Sequence, residues 1–365
     1  MAQDWHLIDD LLLASQKHKA SDLMVRTGDR VRMRIHGNVI TISPDKVPPP
    51  ERNQVKSMVE HMLRHTSRSV DVESIQSEDF QYSLENIAHF RIHVMRTHDD
   101  FGIVARVIPQ NIPTFQELRL PPVIQDLCNN TRNGLILVAG ATGSGKSTTM
   151  ASMINYVINQ KPVHVVTIED PVEFKYRTIY KGTVCQRQLG SDVASYEQGL
   201  IDALREAPDI IVAGEARDRS VIQLALQASE TGHLVMATVH ATTAIGTMQR
   251  IMSSFGLDEQ DAIRERLSEN LRAIIVQKLM PMKSGEGRVA ALEIMVCNSV
   301  IRHFILDTNR WREIPKAMEE GHTLYGSQTF DQHLQRLIVN NQIEYEEGLA
   351  QSVHREDFAI RMGRE

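Results

Sequence analysis

The chain has 365 residues, of which 42% are hydrophobic and 24% charged, and its net charge is −6. This length and composition are typical of a soluble protein with two domains, and without a basic surplus no nucleic-acid partner is expected. No stretch reaches the roughly 18 apolar residues that span a bilayer, so any membrane association would be peripheral. The three cysteines, Cys128, Cys185 and Cys297, form no pattern typical of a metal site or disulfide framework, which favours a reduced, cytoplasmic protein.

The first part of the chain, residues 1–108, is predicted to form an α+β domain. Helical spacing of apolar residues predicts two helices, at residues 5–20 and 51–64. Short apolar or alternating runs predict six strands, at residues 23–25, 31–35, 39–42, 80–84, 88–95 and 102–108. The pair Gly37-Asn38 predicts a hairpin turn between the second and third strands. A proline-rich stretch at residues 109–122 predicts a linker into a second domain.

The second part, residues 123–365, is predicted to form an α/β domain. Buried β-branched runs predict four strands, at residues 135–139, 163–168, 210–213 and 234–238. Amphipathic segments separate these runs, which indicates a parallel sheet with helices on both faces. From residue 258 onward the sequence favours helices, with one further strand at residues 289–295.

A complete phosphate-binding motif follows the first of these four strands. Residues 140–147 read Gly-Ala-Thr-Gly-Ser-Gly-Lys-Ser, which matches GxxxxGK[ST] at the junction of a strand and a helix. The backbone N–H groups of such a loop hold phosphate oxygens, the lysine reaches the β- and γ-phosphates, and the serine hydroxyl binds Mg²⁺. The predicted nucleotide-binding residues are Gly140, Ala141, Thr142, Gly143, Ser144, Gly145, Lys146, Ser147 and Thr148.

Three further polar residues follow later strands of the predicted sheet. Glu173 comes shortly after the strand at 163–168, Glu215 follows the strand at 210–213, and His240 follows the strand at 234–238. Ligands of doubly wound sheets bind at the carboxyl ends of the strands, where phosphoryl transfer needs a group that orients water. The two carboxylates are therefore catalytic candidates, and the histidine is a candidate sensor of the γ-phosphate. Taken singly, a carboxylate at a strand end is more often a solvated loop charge, and a lone histidine is more often structural. Two carboxylates that follow an intact phosphate-binding loop favour the catalytic interpretation.

Together these segments resemble a known family. Residues 140–147, 167–173, 207–215 and 230–240 are similar, in order and separation, to the Walker A, Asp box, Walker B and His box of secretion-superfamily ATPases. Within that superfamily they resemble the PilT/PilU retraction ATPases of type IV pili, whose C-terminal QTFD segment is similar to Gln328-Thr-Phe-Asp. The resemblance implies an N-terminal α+β PAS-like domain, followed by a RecA-like P-loop α/β domain with a helical C-terminal part.

The resemblance also implies residue roles and partners. Glu215 would be the catalytic glutamate, Glu173 the Asp-box carboxylate near Mg²⁺ and the attacking water, and Arg91 and Arg106 would reach the phosphates from the N-terminal domain. The protein would be a cytoplasmic homo-hexamer that hydrolyses ATP with Mg²⁺ and lies peripherally at the inner membrane. Its implied partners are a pilus platform protein of that membrane and a paralogous pilus ATPase.

One segment departs from the family pattern. Residues 300–307 read Val-Ile-Arg-His-Phe-Ile-Leu-Asp and retain only part of the AIRNLIRE segment of PilT-type retraction ATPases. Two alternatives to a retraction motor therefore stay open: an accessory PilU-like subunit that binds ATP, and the motor of a related conjugation or secretion system. The chain lacks the tetracysteine zinc module and the longer N-terminal region of assembly ATPases, which favours the retraction branch.

Overall fold

The computed structural model describes residues 6–35, 37–64, 71–84, 88–98, 100–108, 111–176 and 180–363. The chain divides into two compact units, Met1–Asn111 and Ile112–Glu365. Each unit has its own sheet and its own buried apolar core. The division falls within the proline-rich stretch at residues 109–122, of which Pro109 lies outside the described residues.

The first unit contains the two helices and six strands expected from its sequence. The helices are α1 (His6–Lys17) and α2 (Arg52–Arg64), and a short 3₁₀ helix covers Val72–Ser74. The strands are β1 (Asp22–Arg26), β2 (Arg32–Ile35), β3 (Asn38–Thr41), β4 (Ser77–Leu84), β5 (Ala88–Thr97) and β6 (Asp100–Ile108). They form one antiparallel sheet in the order β3-β2-β1-β6-β5-β4.

The alternation of side chains along β5 separates the two faces of this sheet. Phe90, Ile92 and Val94 are fully buried and belong to the core that α1 and α2 complete. Arg91 lies on the opposite face because successive residues of a strand point to opposite sides. The predicted hairpin joins β2 and β3, with Gly37 in the left-handed conformation that a tight turn requires.

The second unit contains a seven-stranded mixed sheet. Its strands are β7 (Gly134–Ala139), β8 (His164–Glu169), β9 (Thr183–Gln188), β10 (Ile210–Ala213), β11 (Leu234–Val239), β12 (Leu271–Pro281) and β13 (Arg288–Val296). They lie in the order β13-β12-β7-β11-β10-β8-β9, and every neighbouring pair is parallel except β12 and β13. The carboxyl ends of the six parallel strands therefore meet at one edge.

Helices cover both faces of this sheet, in agreement with the predicted architecture. They are α3 (Pro122–Asn130), α4 (Lys146–Gln160), α5 (Tyr196–Ala203), α6 (Arg219–Glu230), α7 (Ala244–Met252), α8 (Gln260–Asn270), α9 (Ser299–Leu306), α10 (Ile314–Glu320), α11 (His322–Tyr325), α12 (Phe330–Val339), α13 (Tyr345–Gln351) and α14 (Arg355–Arg361). A 3₁₀ helix covers Thr308–Glu313. Within the described ranges, no helix is both long and apolar enough to cross a bilayer.

One expectation about this sheet was wrong. The segment after residue 258 is not only helical before residue 289, because Leu271–Pro281 forms β12, between β7 and β13. Both faces of β12 are covered, so its apolar residues form a nearly continuous run that periodicity cannot distinguish from a buried helix. The four strands predicted to be parallel are parallel, and β13, which was predicted without an orientation, returns antiparallel to β12. Strand β9, with its polar sequence at the sheet edge, was not predicted.

Candidate functional site

The predicted phosphate-binding loop connects β7 to α4. Gly140, Gly143 and Gly145 have φ angles of 153°, 78° and 88°, which side chains rarely adopt. A Cβ atom added to Gly140 would lie 2.6 Å from the carbonyl oxygen of Gln277, so the loop is pressed closely against β12. The start of α4 follows directly, and its unpaired backbone N–H groups make this end of the helix suitable for an anion.

Lys146 lies inside the loop and is only 8% exposed. Its Nζ atom donates hydrogen bonds to the carbonyl oxygens of Gly140 and Ala141, each at 3.0 Å. Burial lowers the pKa of this ammonium group, and the carboxylates of Glu215 and Glu173 act in the opposite direction. Lys146 is thus a buried cation within the field of both predicted carboxylates, as a phosphate ligand would require.

Gln277 of β12 fastens the loop to the sheet, and sequence reasoning missed it. Its Nε2 atom donates to the carbonyl oxygen of Ser144 at 2.7 Å, and its Oε1 atom accepts from the Thr149 hydroxyl at 2.7 Å. Gln277 is 3% exposed, so both hydrogen bonds are protected from water. One side chain therefore joins the loop, the first turn of α4 and β12. Gln277 belongs to no sequence motif, and the strand that carries it, β12, was not predicted.

Glu215 and His240 meet across two neighbouring strands. Glu215 follows β10, His240 follows β11, and Nε2 of His240 lies 3.1 Å from Oε1 of Glu215. The same oxygen lies 2.5 Å from Nε of Arg217, a residue that sequence reasoning did not single out. The Glu215 side chain is 15% exposed, whereas those of His240 and Arg217 are 38% and 66% exposed. The carboxylate is thus held at the edge of the sheet by two groups nearer the solvent.

Gly214 places Glu215 by allowing two strands to approach. Its N–H donates to the carbonyl oxygen of Ile168 at 2.7 Å, and its own carbonyl oxygen accepts a hydrogen bond from the Thr238 hydroxyl. A Cβ atom at Gly214 would lie 2.9 Å from the Ile168 oxygen. Only glycine fits this contact without a shift of the backbone.

Glu173 lies on the turn after β8, and Glu169 fixes that turn. The Glu169 carboxylate accepts hydrogen bonds from the Thr167 hydroxyl at 2.7 Å, from Gln186 Nε2 at 3.0 Å and from the backbone N–H of Glu173. Burial raises the pKa of Glu169, and these donors oppose that shift. Glu173 itself is exposed. The two acids of this segment therefore differ in role: Glu169 supports the turn, and Glu173 is available to a ligand.

Comparison with known proteins shows which family combines these features. The sequence profile of the family "Type II/IV secretion system protein" matches residues 4–352. The chain belongs to this family.

Two relatives and one solved structure narrow the relationship to the PilT/PilU branch. The chain is 38% identical to the type IV pilus retraction ATPase PilT of Pseudomonas aeruginosa, over 96% of this chain and 99% of that one. It is 39% identical to the twitching motility protein of Neisseria gonorrhoeae, over 84% of this chain and 80% of that one. The crystal structure of the pilus retraction motor PilT with bound ADP superposes with a TM-score of 0.83, at 34% identity, covering 97% and 98% of the two chains. The chain is a PilT/PilU-family type IV pilus ATPase.

The two arginines implied by the family lie in the first unit, side by side. Arg91 of β5 and Arg106 of β6 are directly paired across the antiparallel sheet. Like charges in this position repel, and each arginine has a carboxylate beside it: Nε of Arg91 lies 3.6 Å from Asp79, and Nε of Arg106 donates to Asp22 at 2.9 Å. The Arg106 side chain is 65% exposed. The pair therefore presents two guanidinium groups on the open face of this sheet.

A third arginine, Arg96, lies further along β5 and has a structural role. Its Nε atom donates to the carbonyl oxygen of Ile75 at 3.0 Å, and its guanidinium lies 5.3 Å from the ring centre of Phe101. These contacts, together with an ion pair to Glu73 at 3.1 Å, hold it within the first unit.

The QTFD-like segment of this family also has structural contacts. Gln328 is 1% exposed and donates to the Leu292 carbonyl oxygen at 3.0 Å, while Thr329 caps α12. Phe330 is buried, and Asp331 accepts from the backbone N–H of Val353 at 2.8 Å. The segment therefore anchors α12 to β13 and to the C-terminal helices. The divergent residues 300–307 form most of α9 and its C-cap.

Proposed function

We propose that the chain is a motor that hydrolyses ATP and uses the energy to retract a type IV pilus. The observation that carries the proposal is the arrangement of Lys146, Glu215 and His240 at one edge of the sheet, in a chain that matches a PilT over 96% of its length. This arrangement supplies a phosphate-binding cation and a carboxylate that can orient water, as nucleotide hydrolysis requires.

The loop between β7 and α4 fits the phosphates of ATP. Its glycine-rich backbone and the start of α4 supply N–H donors, and Lys146 supplies the charge for the β- and γ-phosphates. Two loop carbonyls accept hydrogen bonds from the Lys146 ammonium group, which holds this cation inside the loop. The nucleotide ligands are residues 140–148.

Ser147 and Glu173 fit a magnesium ion. Both side chains are exposed, and a hydroxyl with a carboxylate is an oxygen donor set of the kind that Mg²⁺ accepts beside phosphate oxygens. When bound, Mg²⁺ neutralises charge that develops on the phosphates. Glu215 orients the attacking water and accepts its proton, and His240 keeps the Glu215 carboxylate in position while contacting the γ-phosphate.

Arg91 and Arg106 stabilise the transferred phosphoryl group in a homo-hexamer of the chain. A guanidinium fork matches phosphate oxygens and spreads charge over them, which favours the transition state of phosphoryl transfer. A carboxylate lies beside Nε of each arginine, and the other guanidinium nitrogens are the donors that would contact the phosphate.

The motor acts in the cytoplasm, peripherally at the inner membrane. Its partners are the platform protein of the pilus and a paralogous pilus ATPase, and none of its functions requires nucleic acid. A deletion strain tests this assignment. We expect cells that bear surface pili but do not twitch, with motility restored by the wild-type gene and not by Lys146→Ala.

Two other results would distinguish the alternatives. Restoration of twitching by Lys146→Ala would indicate an accessory subunit whose own hydrolysis is dispensable. Loss of surface pili in the deletion strain would contradict retraction, because a retraction motor removes pili and does not build them.

A further inference from the structure

Glu293 of β13 is a buried acid in the middle of an apolar sheet. Its exposure is 9%, and it pairs in register with Val276 of β12. Val276 in turn pairs with Ala139, and Ala139 with Val239. Across the sheet, Glu293 is therefore level with Ala139 and Val239. Ala139 immediately precedes the phosphate-binding loop, and Val239 immediately precedes His240. None of the family motifs includes it.

The Glu293 carboxylate holds the start of α7. Its Oε1 atom accepts a hydrogen bond from the backbone N–H of Ala244, the first residue of that helix, at 2.5 Å. The first N–H groups of a helix have no partner within the helix, and an acid at this end is favoured by the helix dipole. Thr243 caps the same end locally, through the N–H of Gly246 at 2.9 Å. Glu293 is the acceptor that ties this end to the sheet.

Only residues 241–243 separate Ala244 from His240. A link of three residues leaves little room for independent movement, so the position of Ala244 constrains the position of His240. The imidazole of His240 in turn lies 3.1 Å from Glu215. A continuous path of short connections thus leads from the Glu293 carboxylate to the carboxylate proposed to orient water.

The surroundings of Glu293 oppose its charge. Burial raises the pKa of Glu293 to about 7, the Ala244 N–H and Lys278 act against this shift, and Asp331 reinforces it. No ion pair of Glu293 occurs within the described ranges. A buried charge without an ion pair is costly to desolvate, and the hydrogen bond from the Ala244 N–H offsets part of this cost. This contact gives the carboxylate a specific use at the start of α7.

We propose that Glu293 is a positioning residue for ATP hydrolysis, which holds α7 and the preceding segment so that His240 meets Glu215. This inference rests on the proposed function, since it assigns a support to the same site. In this proposal Glu293 acts through His240 and does not contact the nucleotide. The phosphate-binding loop is held by other hydrogen bonds, which Lys146 and Gln277 donate to its carbonyl oxygens.

The test is a set of steady-state ATPase measurements on the full chain. We expect Glu293→Ala to lower kcat about 10- to 100-fold, as small displacements of a catalytic group do, with KM for ATP changed less than about 2-fold. Glu293→Gln retains an oxygen acceptor and should keep kcat within about 3-fold of wild type. Gln328→Ala is the control, because this 1% exposed side chain also hydrogen-bonds the backbone of β13 but does not hold α7, and it should leave kcat unchanged.

A double-mutant cycle isolates the path through His240. If Glu293 acts through His240, adding Glu293→Ala to His240→Ala causes no further loss of kcat. An equal loss in both backgrounds, or wild-type kcat in folded Glu293→Ala, overturns the inference. If Glu293→Ala does not fold, Glu293→Asp takes its place in the test. The shorter side chain moves the acceptor away from the Ala244 N–H, so kcat should fall. A kcat equal to that of Glu293→Gln would overturn the inference. A wild-type chain without ATPase activity contradicts the proposed function itself.

Discussion

Nε2 of His240 lies 3.1 Å from Oε1 of Glu215, although 24 residues separate the two in the chain. The contact exists because β10 and β11 are parallel neighbours, so the residues that follow them meet at the same edge of the sheet. It joins the carboxylate proposed to orient water to the histidine proposed to contact the γ-phosphate. Occupation of the phosphate site can therefore be transmitted to the acid through one side chain.

The histidines at the two ends of β11 should differ in their effect on hydrolysis. We expect His240→Ala to lower kcat for ATP about 10- to 100-fold, because Glu215 loses the partner that fixes its position. His233 is the control, since its Nδ1 atom lies 3.1 Å from the Ala228 carbonyl oxygen, at the other end of the strand. His233→Ala should retain wild-type kcat, and a similar loss in both variants would contradict a specific role of His240.

Gln277 should affect nucleotide binding more than the chemical step. Gln277→Ala leaves the buried Ser144 carbonyl and Thr149 hydroxyl without their partner, and the loop loses its link to β12. We expect KM for ATP to rise about 10-fold, or about 1.4 kcal/mol, with a smaller change in kcat. The control is Gln328→Ala, which removes a similarly buried glutamine that lies before α12 and hydrogen-bonds the Leu292 carbonyl oxygen of β13. It should lower stability while KM stays at the wild-type value.

The paired arginines of the first unit should be needed for hydrolysis and not for folding. We expect Arg91→Ala and Arg106→Ala each to lower kcat about 100-fold or more, as loss of an arginine from a phosphoryl-transfer site does. Arg64→Ala is the control, because that side chain is 78% exposed at the end of α2. Circular dichroism and melting temperature should be similar for all three variants. Normal hydrolysis by both arginine variants would remove them from the proposed site.

His333 should make the fold less stable in acid. It is 6% exposed, its Nδ1 atom accepts from the Leu292 N–H, and burial lowers its pKa to about 3. Below about pH 6.5 the unfolded chain binds a proton that the folded chain does not, so the free energy of unfolding falls with pH. Between pH 7 and pH 5, protonation of His333 in the unfolded chain should lower the free energy of unfolding by about 2 kcal/mol.

Urea denaturation of wild type and His333→Asn measures this contribution. The asparagine oxygen can replace Nδ1 as an acceptor but does not titrate. The buried acid Glu293 has a raised pKa and opposes the effect, since it binds its proton more readily in the folded state. Both proteins contain Glu293, so their difference isolates His333. Equal slopes of stability against pH would contradict the assignment.

Much of the site was predictable because its residues follow recognisable strands. A glycine-rich turn after an apolar run predicts the loop at Lys146, and the rule that parallel strands end together predicts the neighbourhood of Glu215 and His240. What escaped prediction depends on contacts between distant segments. Gln277 reaches the loop from β12, and Glu293 reaches α7 from β13, and neither belongs to a local motif.

The fold shows the same limit. Strand β5 of the first unit alternates between a buried and an open face, so its period predicts it directly. β12 is buried on both faces and gives no such period, and its place beside β7 is set by tertiary packing. The side-by-side position of Arg91 and Arg106 likewise depends on register, which the hydrophobic pattern of each strand does not specify alone.

The central claim is that Glu215 carries out ATP hydrolysis on a nucleotide held by the loop around Lys146. The most direct measurement compares Mg²⁺-ATP hydrolysis by wild type and Glu215→Gln, with binding of a fluorescent ATP analogue measured in parallel. We predict wild-type binding with a rate of hydrolysis at least about 100-fold lower, because the amide cannot accept a proton from water. Hydrolysis by Glu215→Gln at the wild-type rate would contradict the account.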